Sequence, residues 1–149
     1  MTEDRLRTVV LVLAGLGAAI AGYLVWAHYA DAAISCTSGG CETVQRSDYA
    51  EIAGLPVALL GLLAYTAIAA TATLRGELAR VVTAGIVVTG FLFSTYLLLV
   101  QALVIHAVCD WCVASDAVMS ALVVVVMLWL RHAQPDEGRV HRGRLDSLR

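Results

Sequence analysis

The sequence predicts an all-α membrane protein, a bundle of four transmembrane helices with an outward-facing loop between the first and second helices. Two observations lead to this prediction. Only 15% of the 149 residues are charged and 60% are apolar, whereas about a quarter of the residues of a soluble domain are charged. In addition, four apolar stretches are each long enough to cross a hydrocarbon core about 30 Å thick, which takes roughly 20 helical residues.

The four apolar stretches lack the polar face that the helices of a soluble bundle present to water. They cover residues 9–27, 55–74, 81–105 and 113–130. The only carboxylate within them belongs to Asp116, in the first turn of the fourth stretch. We expect the stretches and their links to form one membrane domain over residues 1–132, followed by a polar, disordered cytoplasmic tail over residues 133–149.

The first stretch has a second interpretation, as a cleaved signal peptide. Arg5 and Arg7 precede it, and residues 30–32 have the small-x-small form of a cleavage site. Its apolar run is longer than a usual signal core, and small residues at every fourth position suit packing against another helix. A retained membrane helix is therefore the preferred interpretation.

The basic residues predict which side of the membrane each loop faces. All ten are arginines, and nine of them lie on one side of a path with four crossings. Only Arg46 lies on the other side, in the loop over residues 28–54. Because cytoplasmic loops carry the excess of basic residues, we expect a multi-pass protein of the cell membrane with both termini in the cytoplasm. The loop over residues 28–54 and the link before the fourth stretch then face outward.

All four cysteines fall on the predicted outer side, where disulfides form and persist. Cys109 and Cys112 form a C-x-x-C motif where the fourth helix begins, and a helix N-terminus favours the thiolate form. Cys36 and Cys41 form a second pair in the outer loop, and two of the four residues between them are glycines. A movable loop pair beside a fixed pair at the membrane surface indicates a disulfide relay that works by thiolate exchange.

Three other interpretations of the cysteines compete with a relay. Two structural disulfides would fasten the outer loop of a non-enzymatic membrane scaffold. Four cysteines can also bind zinc, because a C-x-x-C motif supplies half of such a site. Free buried thiols are the third alternative. The relay is favoured because both pairs lie on the same side, and no metal is expected.

A relay that oxidises thiols needs an acceptor for two electrons and two protons. No nucleotide-binding fingerprint lies in a βαβ context, and no paired histidines indicate haem. The acceptor expected among apolar helices is a lipid quinone, of the menaquinone, ubiquinone or phylloquinone type. Gln101 and His106 can each bond a quinone carbonyl, although such residues more often satisfy a neighbouring helix. No basic run or aromatic platform indicates a nucleic-acid partner.

An ordered set of residues resembles the vitamin K epoxide reductase family over about residues 8–132. The set consists of Cys36, Cys41, Ser47, Gly54, Leu55, Pro56, Val57, Gly61, Tyr65, Cys109 and Cys112. The resemblance implies an enzyme, built as a four-helix bundle around a quinone pocket.

The resemblance also implies a role for each cysteine. Cys112 is the sulfur next to the quinone, and Cys109 is its partner. Cys41 exchanges with Cys109, and Cys36 is the exposed sulfur that meets an outside thiol substrate. Ser47 would hydrogen-bond near the relay, in a lid-like segment after the loop pair.

The sequence departs from the vertebrate pattern of this family near the quinone. By spacing, Val57 and Asp116 take the places of an asparagine and a tyrosine that lie near the vitamin, which makes them candidate quinone contacts together with Ser47. The loop cysteines are also closer together than in vertebrates. These differences favour a bacterial-type thiol:quinone oxidoreductase that generates disulfides, over a vitamin K epoxide and quinone reductase proper. Since the 149 residues contain no fused thioredoxin-like domain, we expect the partner to be a separate thioredoxin-like thiol oxidoreductase outside the cytosol.

Overall fold

The computed structural model describes residues 3–132, so the predicted tail over residues 133–149 lies outside the described residues. The protein is mostly helical, with four long helices and three short elements between the first and second of these. The elements are α1 (Glu3–Tyr29), α2 (Cys41–Gln45), β1 (Glu51–Ile52), β2 (Leu55–Pro56), α3 (Val57–Thr73), α4 (Glu77–Val100), a π-helical turn (Gln101–Ile105) and α5 (Asp110–His132).

Each predicted apolar stretch coincides with one of the long helices. Three helical segments are long and apolar enough to cross a membrane, and these are Glu3–Tyr29, Glu77–Ile105 and Asp110–His132. Helix α3 is also apolar but has only 17 residues, which is the lower limit for a membrane span. The predicted helical membrane bundle therefore agrees with the structure in the type and order of its long helices.

The predicted start of the second long helix, at residue 55, is wrong by two residues. Leu55 pairs with Ile52 in a short antiparallel hairpin, and Pro56 pairs with Glu51. The two residues of the hairpin turn, 53 and 54, both have positive φ, as a two-residue turn of type I′ requires. This hairpin holds Pro56 in an extended conformation, with φ −62° and ψ 134°, so α3 begins only at Val57.

The four long helices form a closed ring in which each helix packs against two neighbours. Helix α1 contacts α3 and α5, and α4 contacts the same two helices. The interior of the ring is apolar, and its fully buried side chains include Leu6, Val10, Ile68, Leu122 and Val126. Large apolar side chains are also exposed on the outside of all four helices, an arrangement typical of a surface that contacts lipid.

Tyr65 connects three helices at the centre of this ring. Its side chain is 1% exposed, and its hydroxyl donates to the carbonyl oxygen of Ser115 at 2.8 Å. The opposite side of its phenol group lies against Gly17 of α1, where an added Cβ would be 2.1 Å from Cε1 of Tyr65. Glycine at position 17 therefore allows Tyr65 of α3 to lie between α1 and α5.

Candidate active site

The C-x-x-C motif lies at the N-terminus of α5. Cys109 directly precedes the helix, and its Sγ accepts the N–H of Cys112 at 3.3 Å. A polar side chain at this position satisfies one of the free amides of the first helical turn, and here the acceptor is sulfur. Both cysteines are free thiols, with Cys109 fully buried and Cys112 half-buried.

The surroundings of Cys109 favour its thiolate form. A hydrogen bond from the Cys112 thiol is the main cause that lowers the pKa of Cys109 from its ordinary value. Burial acts in the opposite direction, and the backbone amides of Cys112 and Trp111 add to the lowering. The two sulfurs therefore have different roles in the reduced motif, because Cys109 accepts the hydrogen bond that Cys112 donates.

The two loop cysteines, Cys36 and Cys41, are joined in a disulfide. Cys41 begins α2 and is fully buried, whereas Cys36 is half-buried. Cys36 is partly accessible, so its role as the sulfur that meets an outside thiol stays a prediction. Its Sγ lies 3.1 Å from Oγ of Ser38 and 3.5 Å from Oδ2 of Asp110.

All four cysteines meet in one cluster. Cys41, Val44 and Cys109 form its buried centre, and Cys36 and Cys112 pack against that centre together with neighbouring apolar side chains. Two of the four sulfurs are bonded to each other. Across residues 3–132, no group of three or more histidine, cysteine or carboxylate side chains is arranged to hold a metal ion.

Hydrogen bonds fasten the loop between α1 and α2 to the start of α5. One carboxylate oxygen of Asp110 accepts the backbone N–H of Thr37 at 2.6 Å and that of Ser38 at 3.1 Å. The hydroxyl of Ser38 donates to the carbonyl oxygen of Val108 at 2.7 Å. The segment between the loop cysteines is thus bound directly to the residues on both sides of Cys109.

Two further contacts hold the same loop in place. Nε1 of Trp111 donates to the carbonyl oxygen of Ser35 at 3.0 Å. At Gly40, an added Cβ would lie 2.4 Å from the carbonyl oxygen of Val108, so this close approach requires glycine. The sequence did not reveal these contacts, because their partners are about 70 residues apart and carry no shared pattern.

An apolar cavity lies beside Cys112, and all four long helices contribute to its wall. Leu24, Leu60, Leu97 and Met119 each line it from a different helix. A few polar side chains also face the cavity, among them Tyr65, Ser94, Gln101 and Ser115. A mainly apolar cavity with a few converging polar groups is typical of a cofactor site, and this lining fits a lipid quinone, which has an apolar body and two carbonyl oxygens.

The predicted quinone contacts occupy different places relative to this cavity. Ser47 and Val57 line it, and the hydroxyl of Ser47 donates to the carbonyl oxygen of Val44 at 2.7 Å. Asp116 is not among the lining residues. Its carboxylate accepts a hydrogen bond from the hydroxyl of Ser94, which does line the cavity. Asp116 is therefore one hydrogen bond removed from the space that a quinone would fill.

Gln101 is more closely involved in the site than the sequence indicated. It is 4% exposed and lines the cavity. Its side-chain oxygen accepts the N–H of Cys109 at 3.0 Å, and its backbone oxygen accepts the N–H of Ala107 at 3.2 Å. Gln101 also begins the π-helical turn, an irregularity that often marks functional sites. His106, the other polar candidate near this end of α4, is exposed and is not among the lining residues.

One comparison with known proteins bears on this arrangement. The sequence model of the vitamin K epoxide reductase family matches residues 8–127. The match covers most of the chain and includes the two cysteine pairs and the helices that surround the cavity. The chain therefore belongs to the vitamin K epoxide reductase family.

Proposed function

We propose that this protein is a membrane thiol:quinone oxidoreductase that generates disulfides outside the cytosol. Electrons pass from a separate thioredoxin-like thiol oxidoreductase through the pair Cys36 and Cys41, then through Cys109 and Cys112, to a lipid quinone. Membership of an oxidoreductase family supports quinone-linked redox chemistry in general. The observation that carries the specific proposal is the line of sulfurs: Cys41 and Cys109 share a buried cluster, and Cys112 lines the apolar cavity.

In this proposal, thiolate exchanges carry the disulfide outward. A partner thiolate attacks Cys36, Cys41 leaves as a thiolate, and the second partner thiolate then displaces Cys36, so the partner leaves oxidised. The Cys41 thiolate next attacks Cys109 in the Cys109–Cys112 disulfide, and Cys112 leaves as a thiolate. Cys36 gives up its proton and attacks Cys41, which restores the loop disulfide and releases Cys109. The backbone amides of Cys112 and Trp111, which lower the pKa of Cys109, favour its release as a thiolate.

The redox state of the described cysteines is the one expected after these exchanges, with the loop disulfide formed and the C-x-x-C pair reduced. When bound, a quinone supplies an acceptor for two electrons and two protons. Cys112 is presented at the cavity wall, and the N–H of Cys109 orients the side chain of Gln101 there. Ser47, Val57 and, through Ser94, Asp116 are the proposed surroundings of the quinone.

We also propose four membrane crossings with both termini in the cytoplasm. Three helical segments are long enough to cross by themselves. The 17 residues of α3 rise about 26 Å, and this helix packs between α1 and α4 as a fourth span would. The excess of arginines on one side supports this orientation, which places all four cysteines on the outer face.

The test is quinone-dependent oxidation of thiols by the purified protein in detergent. A small dithiol and a reduced thioredoxin-fold protein with an exposed C-x-x-C motif serve as alternative electron donors. We expect Cys112→Ala to abolish turnover with both donors. Cys36→Ala should abolish turnover with the protein donor only, because a small dithiol can reach the C-x-x-C pair directly.

Two outcomes would count against the proposal. Equal loss of turnover with both donors in Cys36→Ala would indicate that the loop disulfide is structural. Failure of the unmodified protein to oxidise either donor with any quinone would favour the non-enzymatic scaffold.

A further inference from the structure

Asp110 lies inside the C-x-x-C motif, and its carboxylate is bound to the other cysteine pair. Both of its strong contacts are backbone amides of the outer loop, those of Thr37 and Ser38, and both reach the same oxygen atom. These two amides lie between Cys36 and Cys41 in the sequence. The residue therefore connects the segment that carries the loop pair to the segment that carries the fixed pair.

This connection acts on the geometry of sulfur exchange. Cys41 can attack Cys109 only if the loop holds its sulfur against the start of α5, since thiol–disulfide exchange needs direct contact between the reacting atoms. Hydrogen bonds that fix the loop keep the Cys41 sulfur close to Cys109. They therefore raise the effective concentration of Cys41 at Cys109. Hydrogen bonds to an ionised carboxylate are stronger than those between neutral groups.

We propose that Asp110 is a positioning residue for the relay: its carboxylate clamps the backbone of Thr37 and Ser38 so that Cys41 is held against Cys109. The inference rests on the proposed relay between the two cysteine pairs. It adds a residue that positions Cys41 for its exchange with Cys109. No further reactant is needed, because the clamp changes only how often Cys41 and Cys109 meet. The neutral bond from Ser38 to Val108 supports the same placement more weakly.

The test measures the bond between Cys41 and Cys109 without the quinone and without the partner protein. In the full chain with Cys36→Ala and Cys112→Ala, only Cys41 and Cys109 remain to form a disulfide. Their equilibrium with mixtures of reduced and oxidised glutathione is read by alkylation with a maleimide that shifts the protein on a gel. We expect Asp110→Ala to lower the equilibrium constant for this disulfide about 10- to 100-fold, the usual worth of hydrogen bonds to a charged group.

Conservative and control variants separate the clamp from a general loss of structure. Asp110→Asn keeps an acceptor without the charge, so its equilibrium constant should fall between those of the parent and Asp110→Ala. Ser38→Ala removes the hydroxyl that donates to Val108 and accepts the N–H of Gly40, but keeps the backbone amide that binds Asp110, so it should have a smaller effect than Asp110→Ala. Asp48→Ala, an exposed carboxylate of the same loop with no hydrogen bond or salt bridge to the described residues, should leave the constant unchanged.

Each outcome decides between the clamp and the relay. If the parent forms no Cys41–Cys109 disulfide, the relay order fails and the clamp fails with it. If the parent forms it and both Asp110 variants match the parent within about twofold, the relay stands and the clamp is overturned. If Asp110→Ala does not fold, Asp110→Asn decides alone, and an unchanged constant in that variant overturns the proposal.

Discussion

Cys109 and Cys112 are separated by only two residues but lie in different surroundings. Cys109 is fully buried and caps α5, whereas Cys112 reaches the apolar cavity. In the reduced pair the negative charge is stabilised on Cys109, because Cys112 donates the hydrogen bond between them. Chemistry at the cavity therefore requires Cys112 to lose its proton, or to be released as a thiolate by an exchange at Cys109.

The lowered pKa of Cys109 leads to a pH-dependent prediction. We expect Cys109 to be alkylated at lower pH than an ordinary thiol, whose pKa is about 8.5, and Cys112→Ala to move this profile to higher pH. Cys112→Ser keeps a donor and should move it less. The rate of alkylation at Cys109 is followed by mass spectrometry, with the loop disulfide intact.

The lowered pKa of Cys109 also makes the stability of the reduced protein depend on pH. A thiol whose pKa is lower in the folded state stabilises the reduced fold fully above its unfolded pKa, and this contribution is lost as the pH falls through the folded value. The stability of the reduced protein should thus rise with pH up to about 8.5, and rise less in Cys112→Ala. A parent alkylation profile centred at or above that pH would contradict the assignment of the charge to Cys109.

Val57 gives a prediction about substrate range. It lines the cavity without a hydrogen-bonding side chain, and opening an epoxide develops an alkoxide that needs a donor. Losing one such donor typically costs 10²–10³ in rate, or about 2.7–4 kcal/mol. We therefore expect this protein to reduce quinones readily and their 2,3-epoxides poorly, and Val57→Asn to raise epoxide turnover more than quinone turnover.

Both substrates are assayed on one preparation with one dithiol, and Val57→Leu serves as the apolar control. Unmodified rates for epoxide and quinone that agree within a factor of a few would defeat this idea. Vitamin K epoxide reduction would then be a candidate for the native activity.

At the scale of elements, the π-helical turn shows which part of the site the sequence could not predict. Residues 101–105 continue the apolar pattern of the third stretch, so the sequence predicts one helix that ends at residue 105. The pattern gives the length of the helix and not its hydrogen-bond register. The register changes where Gln101 binds Cys109, a contact that depends on the next helix. For the same reason, the sequence does not distinguish Gln101 from other polar residues at helix ends, although its side chain is buried.

The two cysteine pairs, in contrast, can be predicted from the sequence. Their spacing and their place beside apolar stretches predicted two pairs at one end of the bundle, and the described helices bring all four sulfurs into one cluster. The clamp at Asp110 could not be predicted, since a single aspartate carries no spacing signal. The position of Asp116 behind Ser94 was also missed, because family spacing indicates the helix turn and not the direction of the side chain.

The contact between α1 and α3 gives a prediction at this scale. Gly17→Ala should destabilise the protein by about 1–3 kcal/mol, the usual cost of overpacking, because its Cβ would collide with the buried ring of Tyr65. Gly15→Ala lies two residues away on α1, where no atom is within 4 Å of the added Cβ. It should be neutral or slightly stabilising, since alanine is the better helix former.

The midpoint of unfolding in detergent, by heat or by a denaturing surfactant, is measured for both variants and for the parent. Equal midpoints for Gly17→Ala and the parent would show that Tyr65 moves aside at little cost. The central role given to its packing would then be wrong.

For the whole molecule, the proposed orientation is tested by labelling. After mild reduction of intact cells, a membrane-impermeant maleimide should label Cys36 on the outer face. A cysteine introduced as Arg75→Cys, in the link between α3 and α4, should react only after lysis. Labelling of Cys36 that appears only after lysis would reverse the orientation and remove the outer thiol partner from the mechanism.

The contact of α1 with α5 also has a consequence for how each molecule is made. Helix α1 is synthesised before α5 and packs against it, so a nascent chain cannot close its ring until α5 has been made. The loop with Cys36 and Cys41 is synthesised before Cys109 and Cys112. If the proposed orientation holds, a new molecule can oxidise its own loop pair only after α5 has been inserted, because the C-x-x-C pair lies at the start of that helix and its side chains line the cavity. A loop disulfide formed earlier must come from an oxidant outside that molecule.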